Sequence, residues 1–306
     1  MRLLDRGKVV TRLRARPPAP HPDRAGLAIV AIMRDEAAHV GEWAAFHRAA
    51  GAAHLYLYDD GSRDGTADAA AAAMPSITVI PWAQRFEDAR AGWLGGGRVH
   101  NQVAAYAHAL ANFGARWLWM AFLDADEFLM PVRGDTLDDA LDGLDVRNVS
   151  LPWHMFGRGG NAVPPSGGTV AGHTRRARDP MDPARGAAGF KMLVDPCAVS
   201  VVGVHEMATD GERTWNDAGR PARFSTRLDP AFLSTDRVRL NHYYTRSDAD
   251  LRAKIARGSN LGGAAYGRRV MRTVEAIERD EVEDRAAADW ASRRVPRDPG
   301  IAERPS

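Results

Sequence analysis

The 306-residue chain has a single cysteine, Cys197, so no disulfide closes within it, and a lone thiol suits a reducing compartment. It has no apolar run near the ~20 residues that a membrane-spanning helix needs, and its opening lacks the charged-then-apolar order of a signal peptide. A cytoplasmic location is expected. An excess of one charge is missing too: 41 Lys and Arg against 39 Asp and Glu leave +2, which sets up no field to draw the whole molecule to polyanions. Nucleic acid is therefore not an expected partner. Basic charge gathers locally in residues 1–26, where Arg2, Arg6, Lys8, Arg12, Arg14, Arg16 and Arg24 accompany a PPAP stretch. This reads as a flexible arm, capable at most of peripheral association with the inner face of a membrane. No internal repeat is present.

What is there is the composition of a folded domain, 45% apolar and 26% charged. At Leu27 a short apolar run, LAIVAIM, ends in the polar RDE, as a buried parallel strand does at its tip. Val40, Trp43, Phe46 and Ala50 then recur at helical spacing, and Gly51 stands where a helix ends. HLYLYDDGSRDGT predicts a second strand, the alanine run at 67–73 a second helix, and Ile77 to Trp82 a third strand. This alternation predicts βαβ units and an open, mostly parallel sheet, with the active crevice at the carboxyl ends of its strands.

Residues 100–113 read as another helix, and WLWMAFLDADEFL as a central strand that stops abruptly in acids. Thr136 with Asp139, and Ser247 with Asp250, resemble capping boxes. Beyond residue 148 apolar runs alternate with Gly- and Pro-rich loops, which predicts a mixed, partly antiparallel half. The long aperiodic stretch 157–189 is expected to act as a substrate-ordered lid, and a helix is expected over 267–290.

The acids carry the chemistry. Residues two apart on a strand face one side, so Asp124 and Asp126 are expected to converge while Ala125 points away. Such a pair forms a hard oxygen site for Mg²⁺ or Mn²⁺, whose remaining positions go to water and phosphate oxygens. An Asp-x-Asp pair often marks only a solvated turn or helix cap. This one, with Glu127, interrupts the most apolar run in the chain, where unpaired charge is costly. At the second strand's end the glycines of YDDGSRDGT read as a turn, but Asp60 is placed to accept from a base or ribose, with Arg34 and Glu36 nearby.

At these residues the sequence resembles glycosyltransferases of the GT-A fold, which carry a DDGSxDGT-like segment and then an Asp-x-Asp. More closely it resembles the group related to glycosyltransferase family 92, through Arg34-Asp35-Glu36, Glu42-Trp43 and His47, Asp124 to Phe128, LPWHMFG at 151–157, FKMLVDP at 190–196 and LNHYYTRS at 240–247. The resemblance implies a GT-A domain over 27–246, with a nucleotide-binding half at 27–130 and an acceptor half at 131–246. C-terminal helices at 247–292 and a disordered tail at 293–306 would follow. It implies that Arg34, Glu36, Asp60, Arg98, Gln102, Asp124 and Lys191 hold the nucleotide sugar, and that Asp124, Asp126 and His242 hold the metal. Asp35 departs from the family's usual Asn, and His205-Glu206 from a usual His pair.

Trp153 is the aromatic expected to stack on a sugar, whereas Trp43, Trp117, Trp119 and Phe122 sit at core spacing and His100 and His108 read as helix-surface residues. Glu206 and Glu127 are the candidate catalytic bases, with Asp179 and Asp182 behind them. The expected activity is metal-dependent, inverting transfer from a nucleotide sugar, a UDP sugar first, to a hydroxyl of a glycan or lipid-linked acceptor. A sugar-phosphate nucleotidyltransferase is the main rival, but RDEAAHVGEW follows the first strand where that class has a glycine-rich basic loop. A non-catalytic glycan-binding domain is the other, and it predicts a broken acid pair, whereas both acids are present.

Overall fold

The computed structural model describes residues 9–88, 97–182, 188–258 and 265–295. After a short strand β1 (Arg12–Arg14), the chain runs β2 (Leu27–Met33), α1 (Ala37–Ala49), β3 (His54–Asp59), α2 (Thr66–Ala73) and β4 (Ile77–Pro81), the order that the hydrophobic periodicity predicts. β5 (Glu87–Asp88) and β6 (Gly97–Arg98) pair antiparallel ahead of α3 (Asn101–Phe113). β2 is apolar throughout because both its faces are covered. Leu27, Ile29, Ala31 and Met33 join Val40, Trp43 and Phe46 of α1 in one core. Ala28 and Val30 join Val103, Tyr106 and Leu110 of α3 in the other. Each large apolar side chain so buried stabilises the fold by roughly 1.5–3 kcal/mol. α1 ends as its sequence predicts: Gly51 has φ +90°, and a Cβ there would come within 2.8 Å of Thr136.

The second half adds β7 (Trp119–Phe122), β8 (Glu127–Pro131), α4 (Leu137–Leu141), β9 (Asn148–Met155), α5 (Gly168–Gly172), β10 (Arg175–Ala177) and β11 (Phe190–Val194). β12 (Val201–Gly203), β13 (Met207–Ala208), β14 (Arg213–Trp215), β15 (Pro221–Arg223) and β16 (Val238–His242) follow. The main sheet has the order β15-β14-β9-β11-β7-β2-β3-β4, with β16 joining β9 to β8. β7, β2, β3 and β4 are parallel, and β11 is antiparallel to both β7 and β9. The expected mixed α/β sheet flanked by helices is present, and strand order reverses at β2, between β3 and β7. Both capping boxes form, at Thr136 ahead of α4 and at Ser247 ahead of α6 (Asp248–Arg257). Among the described residues no helix is long and apolar enough to cross a membrane.

Four expectations need correction. The arm is not free from residue 9 onward: β1 pairs antiparallel with β12, and Arg24 donates to buried Asp195 at 2.7 Å. Alternation in RLR supplied a strand that the basic composition masked, while residues 1–8 lie outside the described set. The 157–189 stretch is not a loose lid where it is described. Glu42 of α1 accepts from the backbone N–H groups of Thr169 and Val170 at 2.6 and 2.9 Å, Arg158 binds Glu278 and Asp248, and β10 pairs with β17 (Glu281–Glu283). The helix expected over 267–290 is two, α7 (Ala265–Glu278) and α8 (Ala286–Arg294), split by β17. Asp284 breaks the run because its carboxylate accepts from Arg176 and Arg239 rather than facing solvent. Of the tail, residues 293–294 close α8, and 296–306 lie outside the described residues.

Candidate active site

The acids do not lie at the end of one strand. WLWMAFLDADEFL folds as β7, a turn and β8, the turn closed by the Glu127 N–H donating to the Asp124 carbonyl at 3.1 Å. Asp124 and Asp126 are therefore arranged by the turn and not by strand alternation. The Glu127 carboxylate folds back to accept from the Asp124 N–H at 2.8 Å. The turn sits beside the end of β2, at the reversal of strand order where ligands of open α/β sheets gather.

Each aspartate has its own partners. Asp124 accepts from Gln102 at 2.7 Å and lies 2.9 Å from Lys191, a lysine with no exposed surface, carried by β11. Lys191 also faces Glu127 at 3.8 Å. Asp126 lies 3.4 Å from Nε2 of His242 and 3.0 Å from Lys254 of α6. The β8–β16 ladder delivers His242, which it pairs directly with Glu127. Burial opposes ionisation of both aspartates, yet Lys191 holds Asp124 below the ordinary carboxylate range, and Lys254 with His242 hold Asp126 well below it. Glu127 goes the other way: burial, with the two aspartates, outweighs Lys191 and raises it well above the usual value.

The other expected residues divide. Glu36 meets Arg246 at 3.0 Å, with Arg34 half-buried at the same strand end. Asp60 is buried at the end of β3, where Arg85 and Asn101 donate to it at 2.7 and 2.9 Å. Trp153 packs its indole between the rings of His205 and His242, at 5.4 and 4.7 Å. It lies so close over Gly189 that a Cβ there would come within 2.1 Å of the ring. Arg98 is exposed on β6, and its side chain makes no hydrogen bond or ion pair to this cluster among the described residues. Asp179 caps its own turn through the Met181 N–H, and Asp182 pairs with Arg279. His108 is not a surface residue of α3, since its Nδ1 meets the Tyr58 hydroxyl at 2.8 Å. Asp35 has φ +56°, a left-handed conformation that Asp and Asn tolerate better than other side chains, so the turn survives the departure from Asn.

Two residues escaped sequence reading. Lys254 sits one helical turn after the capping Asp250, which pairs with His39 of α1, so the i, i+4 spacing was the available signal. Arg246, at φ +48°, donates to Glu36 and to the Ala125 carbonyl at 2.7 Å, tying the end of β2 to the acidic turn. It lies within the LNHYYTRS stretch, but nothing in the sequence pairs it with Glu36 or the acidic turn.

Among the described residues no three His, Cys, Asp or Glu side chains stand together as a ready metal cage. A divalent ion that keeps waters and takes phosphate oxygens needs fewer protein donors. The 3.4 Å between Asp126 Oδ1 and His242 Nε2 suits two neighbouring ligands of one ion. Behind them His242 Nδ1 and Glu127 Oε1, both buried without a hydrogen-bond partner, face each other at 3.9 Å. At 3.9 Å no hydrogen bond joins them, but they stand in the order, carboxylate behind histidine, by which metal-binding imidazoles are oriented. The residues fit a metal.

The carboxylate, histidine and lysine cluster thus stands at the strand reversal of an open α/β sheet, where such sheets gather their ligands. The family model for glycosyltransferase family 92 matches residues 30–217, and the chain belongs to that family. It is 26% identical over 158 residues to a glycosyltransferase family 92 protein of Oryza sativa subsp. japonica, covering 50% of this chain and 25% of that protein. It is also 26% identical over 155 residues to one of Ricinus communis, covering 49% and 26%. The match thus spans about a quarter of these curated relatives' length.

Proposed function

We propose that the chain is a GT-A-type, metal-dependent glycosyltransferase that moves a sugar from a nucleotide sugar, a UDP sugar first, to a hydroxyl of a glycan or lipid-linked acceptor, with inversion. The observation that carries this reading is the Asp126–His242 pair beside Asp124, backed by the orphaned His242 Nδ1 and Glu127 Oε1, in a chain of family 92. Asp126 and His242, with Asp124, would hold Mn²⁺ or Mg²⁺, which when bound offsets the charge that gathers on a departing diphosphate. Lys191 orients Asp124 from behind. Glu36, Asp60, Arg34, Gln102 and Arg98 would contact the nucleotide, and Trp153 would stack on the transferred sugar. The protein's share of catalysis is to hold donor and acceptor in line and to keep these charges fixed before the reaction begins.

A panel of UDP and GDP sugars, assayed for release of the nucleoside diphosphate with and without Mn²⁺, tests the proposal. Metal-dependent release from at least one donor is expected. Binding of UDP with release from none would remove the activity, and release unaffected by chelator would remove the metal.

A further inference from the structure

The two glutamates expected as bases are poorly placed for that task. Glu127 has no exposed surface, and its carboxylate is turned to the Asp124 N–H and to Lys191, so an acceptor sugar has no route to it. Glu206 lies between two guanidinium groups, Arg12 of β1 at 3.7 Å and Arg227 at 3.9 Å, so its carboxylate is engaged in ion pairs.

We propose that His205 is the general base that takes the proton from the acceptor hydroxyl. The inference rests on the glycosyl-transfer reading above. His205 is exposed, on the segment between β12 and β13. Its Nδ1 lies 2.9 Å from the Phe190 carbonyl, which accepts only, so Nδ1 carries the hydrogen and Nε2 keeps its lone pair. Nε2 has no hydrogen-bond partner among the described residues.

The ring is held in place from several sides. It meets Trp153 edge-on, at 89°, and Trp153 in turn contacts His242, so one indole connects this imidazole with the Asp126–His242 pair. Arg227, buried over the Phe190 ring, donates to the His205 carbonyl at 2.8 Å and fixes the backbone. The charged groups that bear on the imidazole are Lys191 of β11, Asp124 of the acidic turn and Arg227, with Glu206 next in sequence and Arg12 on its far side. Loss of water around the ring and the Lys191 ammonium push the imidazole down, which leaves it neutral at pH 7.

The step balances. The acceptor O–H bond breaks and its proton passes to Nε2. The acceptor oxygen bonds to the anomeric carbon, and the bond from that carbon to the diphosphate oxygen breaks with its electron pair leaving on the nucleoside diphosphate. The imidazolium then returns its proton to solvent.

The test uses His205→Ala and His205→Gln in the full chain, with the donor that the wild type turns over. UDP release is one readout and UDP affinity by calorimetry the other. Release is expected to fall at least ~100-fold in both variants, the typical worth of a positioned base, while UDP affinity holds at the wild-type value. Added imidazole should restore part of the alanine variant's turnover and none of the glutamine variant's. Release within tenfold of wild type, or a loss of UDP affinity that matches the loss of turnover, would overturn the assignment of His205 alone. A wild type that binds UDP but releases it from no donor would overturn the glycosyl-transfer reading, and this proposal with it.

Discussion

Lys254 spans from α6 to the acidic turn, donating to Asp126 at 3.0 Å and to the Tyr244 carbonyl at 2.7 Å with its ammonium over the Tyr244 ring at 3.8 Å. α6 is thereby fastened to the acidic turn. Lys254→Met leaves Asp126 with Arg246 as its remaining cationic neighbour and His242 at 3.4 Å. Loss of one partner from a fully buried pair costs about 3–5 kcal/mol. Because Asp126 and Lys254 keep 19% and 21% of their side chains exposed, a smaller loss of about 1–3 kcal/mol is expected in urea unfolding. An unchanged midpoint would mean that the pair contributes nothing.

Asp124→Ala and Asp126→Ala separate two kinds of support. Asp126→Ala removes the carboxylate that faces His242 and should abolish the Mn²⁺-dependent part of UDP binding in calorimetry. Asp124→Ala leaves the buried Lys191 ammonium with Glu127 alone, at 3.8 Å, so it should cost stability as well as turnover, by about 1–3 kcal/mol because Asp124 keeps 37% of its side chain exposed. Wild-type turnover in either variant would sink the metal assignment.

His47 sets an acid limit on stability. Its Nδ1 donates to the Trp43 carbonyl at 2.9 Å and its Nε2 accepts from the Leu129 N–H at 3.0 Å, so the ring is locked in the neutral form. Burial pushes it down to about 3 from an ordinary 6.5. Between those values the unfolded chain binds a proton that the folded chain refuses. Stability is therefore full above pH 6.5 and falls as the pH drops toward 3, by about 1.4 kcal/mol per unit. His47→Gln should flatten the slope of unfolding free energy against pH in that window. A variant as acid-sensitive as the wild type would assign the effect to other groups, of which His154, also pushed down to about 3, is the first to try.

Gly189 and Trp153 form a size-matched pair. Gly189→Ala places a methyl group 2.1 Å from the indole, and overpacking of this kind typically costs about 1–3 kcal/mol. Trp153→Ala alone leaves a cavity. The two changes together should destabilise less than their sum, and additive losses would show that the contact is relaxed in solution.

The β2–α1–β3 part of the fold was legible in the sequence because its signals are local. LAIVAIM announces a strand covered on both faces, and Gly51, Thr136 and Ser247 end or begin helices within a few residues. Strand alternation set Asp124 and Asp126 at one strand end, whereas they lie in a turn: apolar length alone cannot distinguish one long strand from two strands joined at Asp124-Ala125-Asp126. His242 became a neighbour of Asp126 only through the β8–β16 ladder, a pairing more than a hundred residues apart in sequence. Glu206 looked like a base because a carboxylate's neighbours are invisible until Arg12 and Arg227 are brought to either side of it. Lys254 and Arg246 were missed for the same reason, since a cation on a helix or in a turn shows no partner in one dimension.

The docking of β1 onto β12 has a practical consequence for handling the protein. With β1 present, β12 lies between two strands, and Arg12 reaches Glu206. Trimming the chain to residue 17 would leave the N–H and C=O groups along that side of β12 without partners, an invitation to edge-to-edge association. Such a shortened protein is expected to elute earlier from a sizing column and to precipitate more readily, although every residue proposed for the donor site is still there.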